Sequence, residues 1–211
     1  MESMQAWRAL LASALCMVPL VAGALSHDFE DGTLQGWMPT QTGASASTGV
    51  EAHLGSQMAV IRHAGPNLTS LSTDFAYVPS AILAFDMQAM STGAASGGYA
   101  GVTIAFLDAL NVSKGSLSLV NTNFPSGLGQ AQSLVDTSPH RYSGTMASFA
   151  ASAGIASTSP ITTVQVKFVA SGAGFGASTA SVWFDNVTIG GLPPTKLVPA
   201  NFILLHTVGR S

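Results

Sequence analysis

The chain has 211 residues, 10 acidic and 7 basic, giving a net charge of −3 with only 8% charged side chains. That balance offers no basic surface to attract a nucleic-acid backbone, which argues against nucleic-acid binding. A single cysteine, Cys16, lies near the start, so the fold rests on apolar burial rather than on disulfides.

In chain order, Arg8 supplies a positive region and residues 9–20 form an apolar run. Val21-Ala22-Gly23-Ala24 then offers small residues for cleavage. This is the pattern of a signal peptide over 1–24, and it predicts a secreted or cell-surface protein. The run is shorter than the roughly 20 residues a bilayer span needs, so no stable membrane span is expected. Leu15 stands before Cys16, which argues against a lipoprotein signal.

From Gln57 onward short apolar bursts alternate with turn residues, the signature of successive strands. Strands are predicted at 58–61, 68–75, 82–88, 99–107, 116–120, 142–149, 161–170 and 180–189. In the third, Leu83, Phe85 and Met87 share one side. In the seventh, Val164, Val166 and Phe168 oppose Thr163, Gln165 and Lys167. Residues 121–139 read as a long loop, and 150–160 as a short helix or an irregular crossover. About eight or nine antiparallel strands and no long amphipathic helix predict an all-β sandwich or jelly roll over 25–190. Beyond it, Pro193-Pro194 and a short, interrupted apolar stretch predict a flexible tail over 191–211.

Asp28-Phe29-Glu30-Asp31-Gly32-Thr33-Leu34-Gln35-Gly36-Trp37 resembles the opening strand and turn of galactose-binding-like jelly rolls, notably secreted carbohydrate-binding modules. Asp185-Asn186-Val187 resembles their closing strand. If the two segments lie side by side, they close the sandwich and bring carboxylates together. The resemblance implies a module that binds glycans without cleaving them and that carries a structural calcium near the paired termini. Calcium takes six to eight oxygen ligands, and Asp28, Glu30 and Asp185 are the candidate carboxylates. The other reading of the same residues is that Asp31-Gly32 makes a turn and Glu30 is solvated.

Sugar binding asks for aromatic faces flanked by amides, carboxylates or arginine. Trp183 lies on the opposite face from Val182 and Phe184, and the sequence leaves open which face is inside. Core packing is the favoured reading for each tryptophan. Tyr99, beside a glycine-rich loop, and Phe124, in the long loop, are expected to be exposed. Tyr99, Phe124 and Trp183 are the candidate ligand contacts.

Catalytic patterns are missing from the sequence. There is no Gly-x-Ser-x-Gly elbow and no His-Glu-x-x-His helix, and the carboxylates and five histidines are scattered. The expectation is a non-catalytic secreted module that binds a polysaccharide or cell-surface glycan. The alternative is an envelope or matrix structural protein of the same fold with no sugar site.

Overall fold

A computed structural model describes residues 25–41, 46–65, 68–91, 98–121, 131–172 and 179–190. The expected leader and tail lie outside these residues. Among the described residues are β1 (Leu25–His27), β2 (Met38–Gln41), β3 (Ala46–His53), β4 (Ser56–Ala64), β5 (Leu68–Ala76) and β6 (Ile82–Ser91). Further along the chain come β7 (Tyr99–Leu107), β8 (Ser113–Val120), β9 (Ala131–Leu134), β10 (His140–Thr145), a helix α1 (Met146–Ser152), β11 (Thr163–Ser171) and β12 (Thr179–Ile189).

Two six-stranded sheets face one another. The first has the order β10-β6-β12-β4-β3, with β1 on β12; the second has the order β2-β5-β11-β7-β8-β9. The chain crosses repeatedly between the sheets, so this is a β-sandwich of jelly-roll type, as the sequence pattern predicts. All strand pairs are antiparallel except β8 with β9.

Alternation along the strands builds the core. Val164, Val166 and Phe168 point inward from β11, and Val182 and Phe184 from β12, all fully buried. Phe168 and Phe184 come from opposite sheets and stack with centroids 3.7 Å apart and planes 5° from parallel. The two ends meet, but the opening strand lies just before the expected segment, and residues 28–37 form turns. β1 pairs with the end of β12, Leu25 opposite Ile189 and His27 opposite Val187. The turn after β1 drops Phe29 and Trp37 into the core, where both contact Phe184.

Three local expectations need correction. The segment 142–149 is a strand only as far as Thr145. Met146, Phe149 and Ala150 then recur at helical spacing and bury one face of α1, and the Thr145 hydroxyl accepts from the Ser148 amide as its N-cap. The predicted loop 121–139 contains β9, which pairs with β8 in parallel. And β3 precedes the first strand the sequence suggests. Its Ala, Ser and Gly residues carry little strand preference, but Leu54 and Gly55, with φ of 52° and 90°, make the two-residue turn that folds it onto β4.

One close backbone contact and one register shift stand out. Gly101 of β7 packs so tightly on β8 that a Cβ there would lie 2.0 Å from the Leu119 carbonyl oxygen. β12 shifts register between Asp185 and Thr188, and the left-handed Asn186 (φ 49°) marks the bulge.

Candidate functional site

Because Val182 and Phe184 face the core, Trp183 projects from the outer face of the first sheet. It is only partly buried. In register it stands opposite Val60 of β4 and Gln88 of β6. Met58 and Val60, which alternate with the core residues Ala59 and Ile61, share this outer face and are almost fully buried. They give the face an apolar floor.

Polar side chains frame the indole. Its Nε1–H donates to Glu51 Oε1 at 2.6 Å, and the same oxygen is ion-paired with Arg62. The Arg62 guanidinium lies over the indole, 5.5 Å from its centroid, within cation–π range. Hydrogen bonding from Arg62, joined by that from Trp183, holds the Glu51 carboxyl below the usual carboxylate range, so it is ionised at neutral pH. His53, at the end of β3, stacks on Trp183 with centroids 4.4 Å apart and planes 13° from parallel. Its Nε2 lies 2.6 Å from Gln88 Oε1, and Gln88 Nε2 donates to the Thr137 carbonyl at 2.9 Å.

A second polar row continues across the same sheet. Arg141 of β10 donates to Asp86 of β6 at 3.1 Å. The Asn186 amide donates to Asp86 at 2.8 Å and to Asp185 at 3.2 Å. Asp185 also accepts from Ser56 Oγ at 3.0 Å and from the Asn186 backbone N–H at 2.7 Å. Burial pushes its carboxyl up to about 6; these hydrogen bonds oppose the rise, and the charges of Asp86 and Glu30 add to it.

The sequence offers Asp28, Glu30 and Asp185 as calcium ligands. Glu30 and Asp185 come near enough to influence one another; Asp28 accepts from Gln35 Nε2 at 3.1 Å and Glu30 from the Gln57 backbone N–H at 3.1 Å. Asp185 already faces Ser56 and both nitrogens of Asn186. Among the described residues no three His, Cys, Asp or Glu side chains group as a metal would need.

The candidate aromatic contacts do not share one platform. Tyr99 alternates with the core residue Ala100, so it faces outward from the second sheet, on the far side of the sandwich from Trp183. The exposure expected for it is not found. It is 7% exposed and packs with Val120 and Val169, because neighbouring strands present apolar side chains at that end of the sheet. Burial raises its hydroxyl pKa, against a hydrogen bond with Ser171. Phe124 lies outside the described residues. Trp37 is core, 2% exposed, as the packing argument predicts; Trp183 departs from that argument. The residues that frame it (Glu51, His53, Arg62 and Gln88) do not stand out in the sequence. The alternation of Val50 and Ala52 with Glu51 and His53, before the Leu54-Gly55 turn, is a signal that points to Glu51 and His53.

No family model and no curated protein matches the chain. Among solved structures it is similar to a carbohydrate-binding module of the β-sandwich superfamily described for promiscuous specificity. The TM-score is 0.48 with 16% identity, over 78% of this chain and 61% of that one. It is also similar to the CBM22-1 xylan-binding domain of Paenibacillus barcinonensis Xyn10C (TM-score 0.43, 14% identity, 79% and 92% covered). A third is the family 11 carbohydrate-binding module of Lic26A-Cel5E from Clostridium thermocellum (0.43, 16%, 81% and 95%). The chain thus spans about three-fifths of the first of these structures and nearly all of the other two.

Proposed function

We propose that this chain is a non-catalytic carbohydrate-binding module, acting outside the cell on a polysaccharide or cell-surface glycan, with the outer face of the first sheet as its site. The observation that carries the reading is Trp183: an outward indole whose N–H is fixed by Glu51, with Arg62 over the ring, His53 stacked on it and Gln88 bonded to His53. An indole face packs on the C–H face of a pyranose, and planar amide, carboxylate and guanidinium groups match paired hydroxyls. Fixing the indole through Glu51 reduces the ordering cost at binding.

Affinity electrophoresis of the protein against soluble xylan, mixed-linkage β-glucan and cellulose derivatives, together with a glycan array, tests this. At least one polysaccharide is expected to retard the wild type. Trp183→Ala is expected to weaken that binding about 10- to 100-fold. Melting with calcium and with chelator tests the expected structural calcium separately: no change on chelation removes it. A fall in melting temperature with chelator would keep calcium at Glu30 and Asp185.

One observation favours the alternative, a surface or matrix structural protein. His53 already lies on the indole, as an aromatic framework contact would. Folded protein that binds no glycan on the array would select that reading.

A further inference from the structure

We infer that His53 is a removable cap on Trp183, and that a sugar ring stacks on the indole only when this imidazole swings aside. The inference rests on the carbohydrate-binding reading for its ligand but not for the cap itself.

The two flanks of the indole are held unequally. In register Trp183 stands opposite Val60. Arg62 lies two residues to one side on β4, and His53, opposite Ser56, lies to the other. The Arg62 flank is closed: Arg62 pairs with Glu51, and the same Glu51 oxygen takes the indole N–H. Moving Arg62 leaves a charged, partly buried carboxylate short of a partner, which is costly. The His53 flank is held, among the described side chains, by the stack and by one hydrogen bond to Gln88.

That bond has a fixed sense. The Thr137 carbonyl can only accept, so the Gln88 amide turns its NH2 toward it and its oxygen toward His53. His53 therefore carries its hydrogen on Nε2 and donates. When the imidazole leaves, Gln88 Oε1 is freed to accept a sugar hydroxyl in its place. One donor replaces another, and one ring replaces another on the indole. His53 is also placed to move: it is the last residue of β3, a strand paired on one side only, and it abuts the Leu54-Gly55 turn. The ligand this exchange suits is an uncharged sugar ring with an equatorial hydroxyl at its edge. The ring must be flat enough to occupy the place of an imidazole.

The test uses the full chain and reads the cap and the sugar separately. Quenching of tryptophan emission by acrylamide is measured for wild type, His53→Ala and His53→Phe, each against a Trp183→Phe partner so that the difference reports Trp183. Binding to xylan, mixed-linkage β-glucan and the cellulose derivatives is measured on the same proteins. His53→Ala is expected to make Trp183 about twofold or more accessible to quencher and to tighten binding about 3- to 10-fold, the worth of the stack that no longer has to be broken. His53→Phe keeps a ring on the indole and is expected to leave accessibility near wild type. Unchanged quenching and unchanged binding in His53→Ala overturn the cap. Increased quenching with no glycan bound by any variant leaves the cap standing and overturns the carbohydrate reading instead.

Discussion

The two outer faces of this sandwich are built over one core yet differ in kind. On the first sheet, long side chains interlock across neighbouring strands: Arg141 with Asp86, Asn186 with Asp86 and Asp185, and Glu51 with Arg62 and Trp183. On the second sheet the outward positions of β5, β7, β8 and β11 hold Ser70, Ser72, Thr103, Ser118, Gln165 and Lys167. Bonds there join single cross-strand pairs, such as Thr103 with Ser118 at 3.1 Å and Gln165 with Asp74 at 2.9 Å. The aromatic residue on that face, Tyr99, is closed off by Val120 and Val169. Inward alternation is the same on both sheets. Architecture therefore does not distinguish a binding face from an inert one; the residues at outward positions do.

The largest effect comes from removing what the faces share. Phe184→Ala deletes a fully buried ring that touches Phe29, Trp37 and Phe168. It is expected to cost about 3–5 kcal/mol, read as a lower urea midpoint, and to weaken both faces together. Separating the faces takes two further variants. Trp183→Ala is expected to abolish most polysaccharide binding while the protein keeps its fold. Lys167→Ala, an outward change on the second sheet, is expected to leave binding and melting unchanged, because isolated surface substitutions stay within about 0.5 kcal/mol. Loss of binding in Lys167→Ala would move the site to the other face.

Much of this is legible in the sequence. Alternation in 82–88 and 161–170 identifies the inward residues of β6 and β11, since one face of each is largely apolar and the other is not; in 180–189 it sets Val182 and Phe184 against Trp183 without saying which side is inside. The pairing of the two ends is signalled by apolar residues beside carboxylates. Less legible is whatever depends on contacts across the chain. β3 lacks β-branched runs and is a strand because the tight turn and β4 make it one. Tyr99 reads as exposed from its glycine-rich neighbours, but burial there is decided by Val120 and Val169, which are 21 and 70 positions away. The surroundings of Trp183 are hidden for the same reason: Glu51, His53, Arg62 and Gln88 meet only through strand register.

A pH-dependent effect distinguishes the faces by proton binding. Asp185, at the edge of the Trp183 face, is raised by burial to about 6, above its unfolded value of 3.8. The folded state therefore binds this proton more tightly. Between pH 3.8 and about 6 its contribution to stability falls as pH rises, and above that window it is flat. Two histidines work in the opposite direction. His27 and His63 are lowered by burial from 6.5, so the unfolded chain takes up protons that the folded one refuses, and stability falls as pH drops below 6.5. Asp185→Asn removes the first slope and leaves the second. Urea unfolding between about pH 4.5 and pH 8 is expected to show the variant gaining on wild type by on the order of 1–2 kcal/mol at the alkaline end relative to the acid end. Parallel pH profiles for variant and wild type would show that Asp185 is solvated and ionised throughout, and that the first face holds no strained carboxylate.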